Sequence, residues 1–251
     1  THCISSAASD LYKRQKFDAT SIDEFVGEFK QTMPGYPCPS TPTVYRYIDR
    51  GLLDISNIDL PMKLKRRRNK RHHSHGGHAL HKKNLGNSIE QRPKEVEDRA
   101  TPLHWEGDWV KGVRRKNQPA LMTLTERTTR FEIVIKIPDY RASTCQRLLQ
   151  KEIDQHPDWF KTITFDNGSE FADMTKIKNC QIYFAHPYSP WERGTNENCN
   201  GLLRQFFPKG KSMKDKSAAY VQQATDAINR KHRRILQYHT AEELFKQYIS
   251  S

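Results

Sequence analysis

Between His104 and Phe207 the hydrophobic period changes in a fixed order, and that order narrows the possible folds more than any other feature of the chain. LHWEGDWVKGV alternates, with His104, Glu106 and Asp108 on one face of a strand and Trp105, Gly107 and Trp109 on the other. PALMTLTER and RFEIVIKIP keep the two-residue period across a short polar connection, so the three segments predict an antiparallel meander. RASTCQRLLQKEI then sets Ala142, Cys145, Leu149 and Ile153 at helical spacing, and Pro157 closes that helix. A fourth strand, KTITF, runs out at Asp166, where the Asn167-Gly168 turn dipeptide lifts the carboxylate to the strand's edge. QIYFA makes a fifth strand, HPYSPWERG a proline-broken loop, and TNENCNGLLRQFF a helix that Pro208 stops. Strand-strand-strand-helix-strand-helix is the order of an RNase-H-like α/β fold.

In that order three carboxylates fall at the ends or edges of separate elements: Asp108 on the first strand, Asp166 after the fourth, and Glu197 in the first turn of the later helix. Thr195 is placed to cap this helix. Asn200, Gly201 and Arg204 share the face of Glu197, and Leu202, Leu203 and Phe206 turn toward a core. Clustered acids suit phosphodiester chemistry, because two divalent metals roughly 3.5–4 Å apart both activate a nucleophile and stabilise the departing oxygen. Magnesium takes hard oxygen ligands, which selects Asp and Glu over His and Cys, with manganese as a substitute. Arg193, Arg204, Lys209 and Lys211 lie nearby in sequence and can hold a polyanionic backbone. Glu106, Glu170 and Glu192 compete for the same roles, and periodicity does not separate Glu106 from Asp108.

The remainder of the chain fits a polyanionic partner. Lys and Arg number 42 against 29 Asp and Glu, a net charge of +13. Pro61 to Lys83 concentrates nine basic residues and five histidines with no acid, so it cannot build a core. We read residues 61–98 as a basic linker or arm whose Arg66, Arg67 and Arg68 neutralise DNA phosphates. His72, His73, His75, His78 and His81 lack the periodic scaffold of a metal site. Ahead of the arm, residues 1–60 hold two helical patterns, DEFVGEFKQTM and PSTPTVYRYID. The second has Ser40 as N-cap, an apolar stripe of Val44, Tyr47 and Ile48, and Arg46 and Arg50 on its wet face, in the manner of a helix-turn-helix DNA-binding segment. Residues 99–251 form the α/β core. Five scattered cysteines without a C-x-x-C pair argue against a disulfide framework, and no apolar run approaches the ~20 residues that span a bilayer. The chain opens on Thr1, not Met.

The strings HWEGDWVKG, ITFDNGSEFA, IYFAHPYSPWERGTNENCNGLLRQFFPKG and INRKHRRILQYHTAEELF together resemble the IS-thirty type of bacterial insertion-sequence transposases, members of the DDE superfamily that shares the integrase catalytic core. TVYRYIDRGLLDISNIDLPMKLKRR is similar to the segment that precedes the core in that family. The resemblance implies a magnesium-dependent polynucleotidyl transferase with Asp108, Asp166 and Glu197 as both catalytic and metal-binding residues, and so favours Asp108 over Glu106. Arg204 matches the basic residue two turns after the family's glutamate. It implies double-stranded DNA (terminal inverted repeats and target) as partner, a homo-oligomer that joins two element ends, and a bacterial cytoplasmic, nucleoid-associated location. The alternative is a truncated DNA-binding remnant or repressor without catalytic activity.

Overall fold

The structure, a computed structural model, describes residues 21–60, 85–113, 118–139, 141–187, 189, 192 and 194–250. Arg66, Arg67, Arg68, Arg193 and the histidines of 72–81 lie outside the described residues. The chain divides into two compact units, Thr1–His78 with Lys231–Thr240, and Ala79–Arg230 with Ala241–Ser251.

In the first unit α1 (Ile22–Thr32) opens on a capping box: the Ser21 hydroxyl accepts from the Glu24 N–H, and the Glu24 carboxylate accepts from the Ser21 N–H. α2 (Thr41–Asp49) packs beside it, and Ile22, Phe25, Val26, Val44, Ile48, Leu53, Ile55 and Leu60 form their common core. Ser40 stands at the N-cap of α2 as expected, but its hydroxyl pairs with that of Thr43 and makes no capping bond. The connection, residues 33–40, is longer than the roughly three- to four-residue turn of a helix-turn-helix. Arg46 and Arg50 are exposed. The segment Lys231–Thr240, expected within the core domain, belongs to this first unit: Gln31 Nε2 donates to Gln237 O at 2.6 Å, and the Tyr238 ring fills the space left by the missing side chain of Gly27.

The second unit is built on a five-stranded sheet of order β3-β2-β1-β4-β5. β1 (His104–Lys111), β2 (Ala120–Glu126) and β3 (Glu132–Ile137) form the expected antiparallel meander. β4 (Thr162–Phe165) and β5 (Gln181–Phe184) run parallel to β1. One face carries Trp105, Gly107 and Trp109 of β1 with Ile163 and Phe165 of β4. Against it Cys145, Leu149 and Ile153 of α4 (Ala142–Gln155) complete the main core. A short α3 (Lys94–Glu97) precedes the sheet. The other face is covered by α5 (Gly194–Leu203) and α6 (Ala218–Asn229), the latter through Val221, Ala224 and Ile228. α7 (Ala241–Ile249) closes the unit, with Phe245 buried among Trp105, Phe131 and Trp159. This is the RNase-H-like arrangement that the order of elements predicts.

The boundary differs from expectation. Residues 85–98, assigned by composition to the linker, are part of this unit: Ser88 bridges Phe184, Ile89 and Val96 are buried, and Arg92 Nη1 donates to Thr164 Oγ1 at 3.1 Å. Once these residues satisfy the outer edge of β5 and the polar face of β4, their polar composition no longer marks them as solvated.

Candidate active site

The β1–β4 ladder ends just before two of the three carboxylates. Glu106 of β1 is paired with Thr164 of β4 in a parallel ladder. Two residues further along stand Asp108, still within β1, and Asp166, the first residue after β4. Asp166 is set by its turn, in which Oδ1 accepts the Gly168 N–H at 2.9 Å. A Cβ on Gly168 would sit 2.9 Å from both Asp166 Oδ1 and Glu170 Oε2, so glycine keeps the gap between these carboxylates open. Asn167, between them in sequence, faces away to tie three segments: its amide donates to Ala185 O at 2.7 Å and accepts from the Leu85 N–H at 3.1 Å.

Glu197 lies in the first turn of α5 and is exposed. Among the described residues no group of three His, Cys, Asp or Glu side chains is arranged to hold a metal ion, so Glu197 is not gathered with Asp108 and Asp166 into a ready-made cluster. What α5 presents to the sheet is Asn196 and Asn200. The Asn196 N–H donates to Glu106 Oε2 at 3.3 Å, and Asn200 Nδ2 donates to Asp108 Oδ2 at 2.7 Å. Two expectations for this helix need correction. Thr195 is buried within the helix, where its hydroxyl accepts from Arg130 Nη1 at 2.6 Å and Arg99 Nη2 at 3.3 Å. The inward stripe is Thr195, Asn196, Cys199 and Leu203, while Leu202 is only half-buried. Sequence reasoning gave Asn196 no role because helix-face rules look for apolar residues.

Electrostatics separates the rival acids. Glu106 is 1% exposed and ion-paired to Arg127 at 3.4 Å. Burial pulls the Arg127 pKa down, and Glu106 partly restores it. Glu170 meets Lys111 Nζ at 2.9 Å; burial alone would raise its pKa, but its hydrogen bonds and the ammonium outweigh burial and hold it low. Glu192 pairs with His186 at 2.8 Å and raises the imidazole pKa, aided by Glu90. Glu106 and Glu170 are thus each paired with a cation, and Glu192 with a histidine.

The same stretch matches a known family: residues 98–190 fit the integrase core domain. Over 233 residues the chain is 40% identical to a probable transposase for insertion-like sequence element IS1161 of Streptococcus salivarius, covering 93% of this chain and 66% of that one. It is 30% identical over 240 residues to the transposase for IS4351 of Bacteroides fragilis, covering 92% and 70%. It is 32% identical over 173 residues to the transposase InsI for IS30A of Escherichia coli, covering 66% and 43%.

The chain belongs to the IS-thirty type of insertion-sequence transposases.

It spans 43% to 70% of the lengths of these three transposases. Within this transposase core, Arg204 has its Nη1 on Lys111 O at 2.7 Å and on Phe207 O at 3.4 Å, which ties the end of α5 to the end of β1. Lys209 and Lys211 are exposed on the following loop, whose Gly210 N–H donates to Gly112 O at 3.1 Å. That loop therefore sits at the same end of the sheet as Asp108.

Proposed function

We propose that this chain carries out metal-dependent DNA strand cleavage and strand transfer at the ends of an insertion sequence, with Asp108, Asp166 and Glu197 as the catalytic, metal-binding carboxylates. The observation that supports it most is the parallel pairing of Glu106 with Thr164, from which Asp108 and Asp166 each follow two residues on. The donor set is all oxygen and fits magnesium, with manganese as substitute. Asp108, Asp166 and Glu197 would hold the divalent metal, which would supply activation of a water or 3'-hydroxyl and charge stabilisation at the leaving oxygen. The protein's part is positional: β1 and the turn after β4 fix the two aspartates, and α5 brings the third acid from another element. Lys209 and Lys211 then hold the phosphate backbone against them.

DNA affinity is assigned to Arg46 and Arg50, to Arg66, Arg67 and Arg68 of the arm, and to Arg193, Arg204, Lys209 and Lys211, in keeping with the net charge of +13. The proposed partners are terminal inverted repeats and target DNA in a homo-oligomeric complex, in the bacterial cytoplasm at the nucleoid. Among the described residues no helix is long and apolar enough to cross a membrane. The test is Asp166→Asn in full-length chain with end-containing DNA and magnesium: affinity stays within about twofold while cleavage is lost. Undiminished cleavage by that variant rejects the assignment. Cut ends without joined products from the parent chain point instead to a nuclease, and a folded but inactive parent chain to a DNA-binding remnant.

A further inference from the structure

Helix α5 docks on the sheet with polar groups beside buried Cys199 and Leu203, where a packed helix usually presents an apolar stripe. Asn196 and Asn200 are four residues apart, an advance of about 6 Å along a helix. Glu106 and Asp108 are two apart, an advance of about 6.6 Å along a strand. The two spacings match, and the contacts form two rungs. In the lower rung the Asn196 N–H, one of the helix's first-turn amides without an intrahelical acceptor, donates to Glu106 Oε2 at 3.3 Å, and Arg127 neutralises Glu106. In the upper rung Asn200 Nδ2 donates to Asp108 Oδ2 at 2.7 Å, while the Thr123 hydroxyl donates to Asn200 Oδ1 at 3.2 Å and so fixes which end of the amide faces the carboxylate.

This layer is costly. Arg127 Nε and Nη1 and both polar atoms of the Asn196 side chain are buried without hydrogen-bond partners. An apolar stripe would dock the helix at lower cost, and departures of this kind concentrate where position serves a site. Resting on the function proposed above, we infer that Glu106 and Asn200 are positioning residues of the carboxylate site. Their two rungs index α5 against β1, and thereby set the height of Glu197, the neighbour of Asn196, relative to Asp108. A slip of one residue moves the helix about 1.5 Å along its axis and turns it about 100°, and so changes where Glu197 stands relative to Asp108.

The experiment uses the full chain, with Mn2+ alone as probe and calorimetry or electron paramagnetic resonance as readout, beside amide exchange over residues 195–198. Glu106→Gln/Arg127→Met keeps an acceptor for the Asn196 N–H and strands no charge; Glu106→Leu/Arg127→Met removes the acceptor. Asn200→Ala removes the upper rung. The Leu/Met double variant and Asn200→Ala are expected to weaken Mn2+ affinity about 10- to 100-fold and to speed exchange in the first turn of α5, with the Gln/Met variant within about threefold of the parent. Mn2+ affinity equal to the parent's in all three, with only thermal stability altered, overturns the inference. Asp166→Asn is the control: full Mn2+ affinity there sinks the carboxylate site itself and the inference with it. Loss there without loss in the rung variants sinks the positioning role alone.

Discussion

Gly107 and Phe165 stand immediately before Asp108 and Asp166, and a single methyl group tests whether their contact sets the site. A Cβ built on Gly107 would lie 2.0, 2.5 and 2.8 Å from Phe165 Cε1, Cδ1 and Cζ. Carbon atoms pack at roughly 3.5–4.0 Å, so the ring must retreat by about 1.5 Å. It has no free space to enter: Phe165 is 0% exposed and its ring centroid lies 4.5 Å from that of the tilted Phe171 ring, itself 0% exposed. Overpacking of this severity costs about 3 kcal/mol, and removing glycine's backbone entropy returns about 0.5–1 kcal/mol, leaving Gly107→Ala about 2 kcal/mol less stable. For a unit of this size that lowers Tm by about 4–8 °C. Phe165→Leu shortens the ring that is struck, so in a double-mutant cycle the pair should be less harmful than the sum by about 1–2 kcal/mol. Urea unfolding of the four proteins measures this directly. The mutation should also reduce cleavage well below Tm, where the chain is folded, because both aspartates follow the displaced residues. A stable, fully active Gly107→Ala, or strict additivity with Phe165→Leu, would show that the contact does not set the strand spacing.

Three further predictions follow from other parts of the molecule. His104 is buried between the hydroxyls of Thr101 and Thr162, and burial, aided by Lys161, pulls its pKa down to about 4. Because the unfolded chain takes up this proton first, stability should fall as pH drops from about 6.5 toward 4, by at most about 3 kcal/mol, and His104→Asn should flatten that slope in urea titrations. His186 has the opposite sign, its pKa raised by Glu192: its contribution is complete below the ordinary histidine pKa and fades as pH rises through the raised value, so His186→Gln should remove a loss on the alkaline side. Replacing Arg66, Arg67 and Arg68 by Ala should reduce the slope of log affinity against log salt by about one unit per lost phosphate contact, and an unchanged slope would make the arm a spacer.

The sheet and its helices were legible because their periods differ: alternation in β1 to β3 and the spacing of Cys145, Leu149 and Ile153 each admit one element. The boundary at residue 85 was not legible, since what recruits that segment is a bridge to Phe184 and an arginine under Thr164, partners about a hundred and about seventy residues away. The segment 231–240 failed for a like reason, as its packing against Gly27 has no local signature. Of the proposed site, Asp166 was legible from its turn, while only the family resemblance favours Asp108 over Glu106, because periodicity alone does not set register. Glu106 and Asp108 share a period and a face. They differ in how far each lies from the strand's end, which decides that one is sealed under α5 with Arg127 and the other stands at its margin.

On the proposed function, the placement of Glu197 as third acid follows from the repulsion among carboxylates. Three such groups packed together would push one another's pKa upward and destabilise the fold by amounts comparable with its net stability. In this chain Asp108 stands on β1 and Asp166 in the turn after β4, each with a hydrogen-bond donor supplied, the Asn200 amide at one and the Gly168 N–H at the other. Glu197 is kept in water on a helix whose grip is polar, about 160° around the axis from buried Cys199. Moving the acid inward by mutation separates these demands: Asn196→Glu/Glu197→Asn shifts the carboxylate by one position, into the buried layer beside Glu106. The expected result is a loss of at least about 3 kcal/mol in urea unfolding, since an unpaired buried charge is placed beside the Glu106–Arg127 pair. A variant as stable as the parent would mean that the layer beneath α5 tolerates charge freely, and that repulsion does not govern where this fold keeps its third carboxylate.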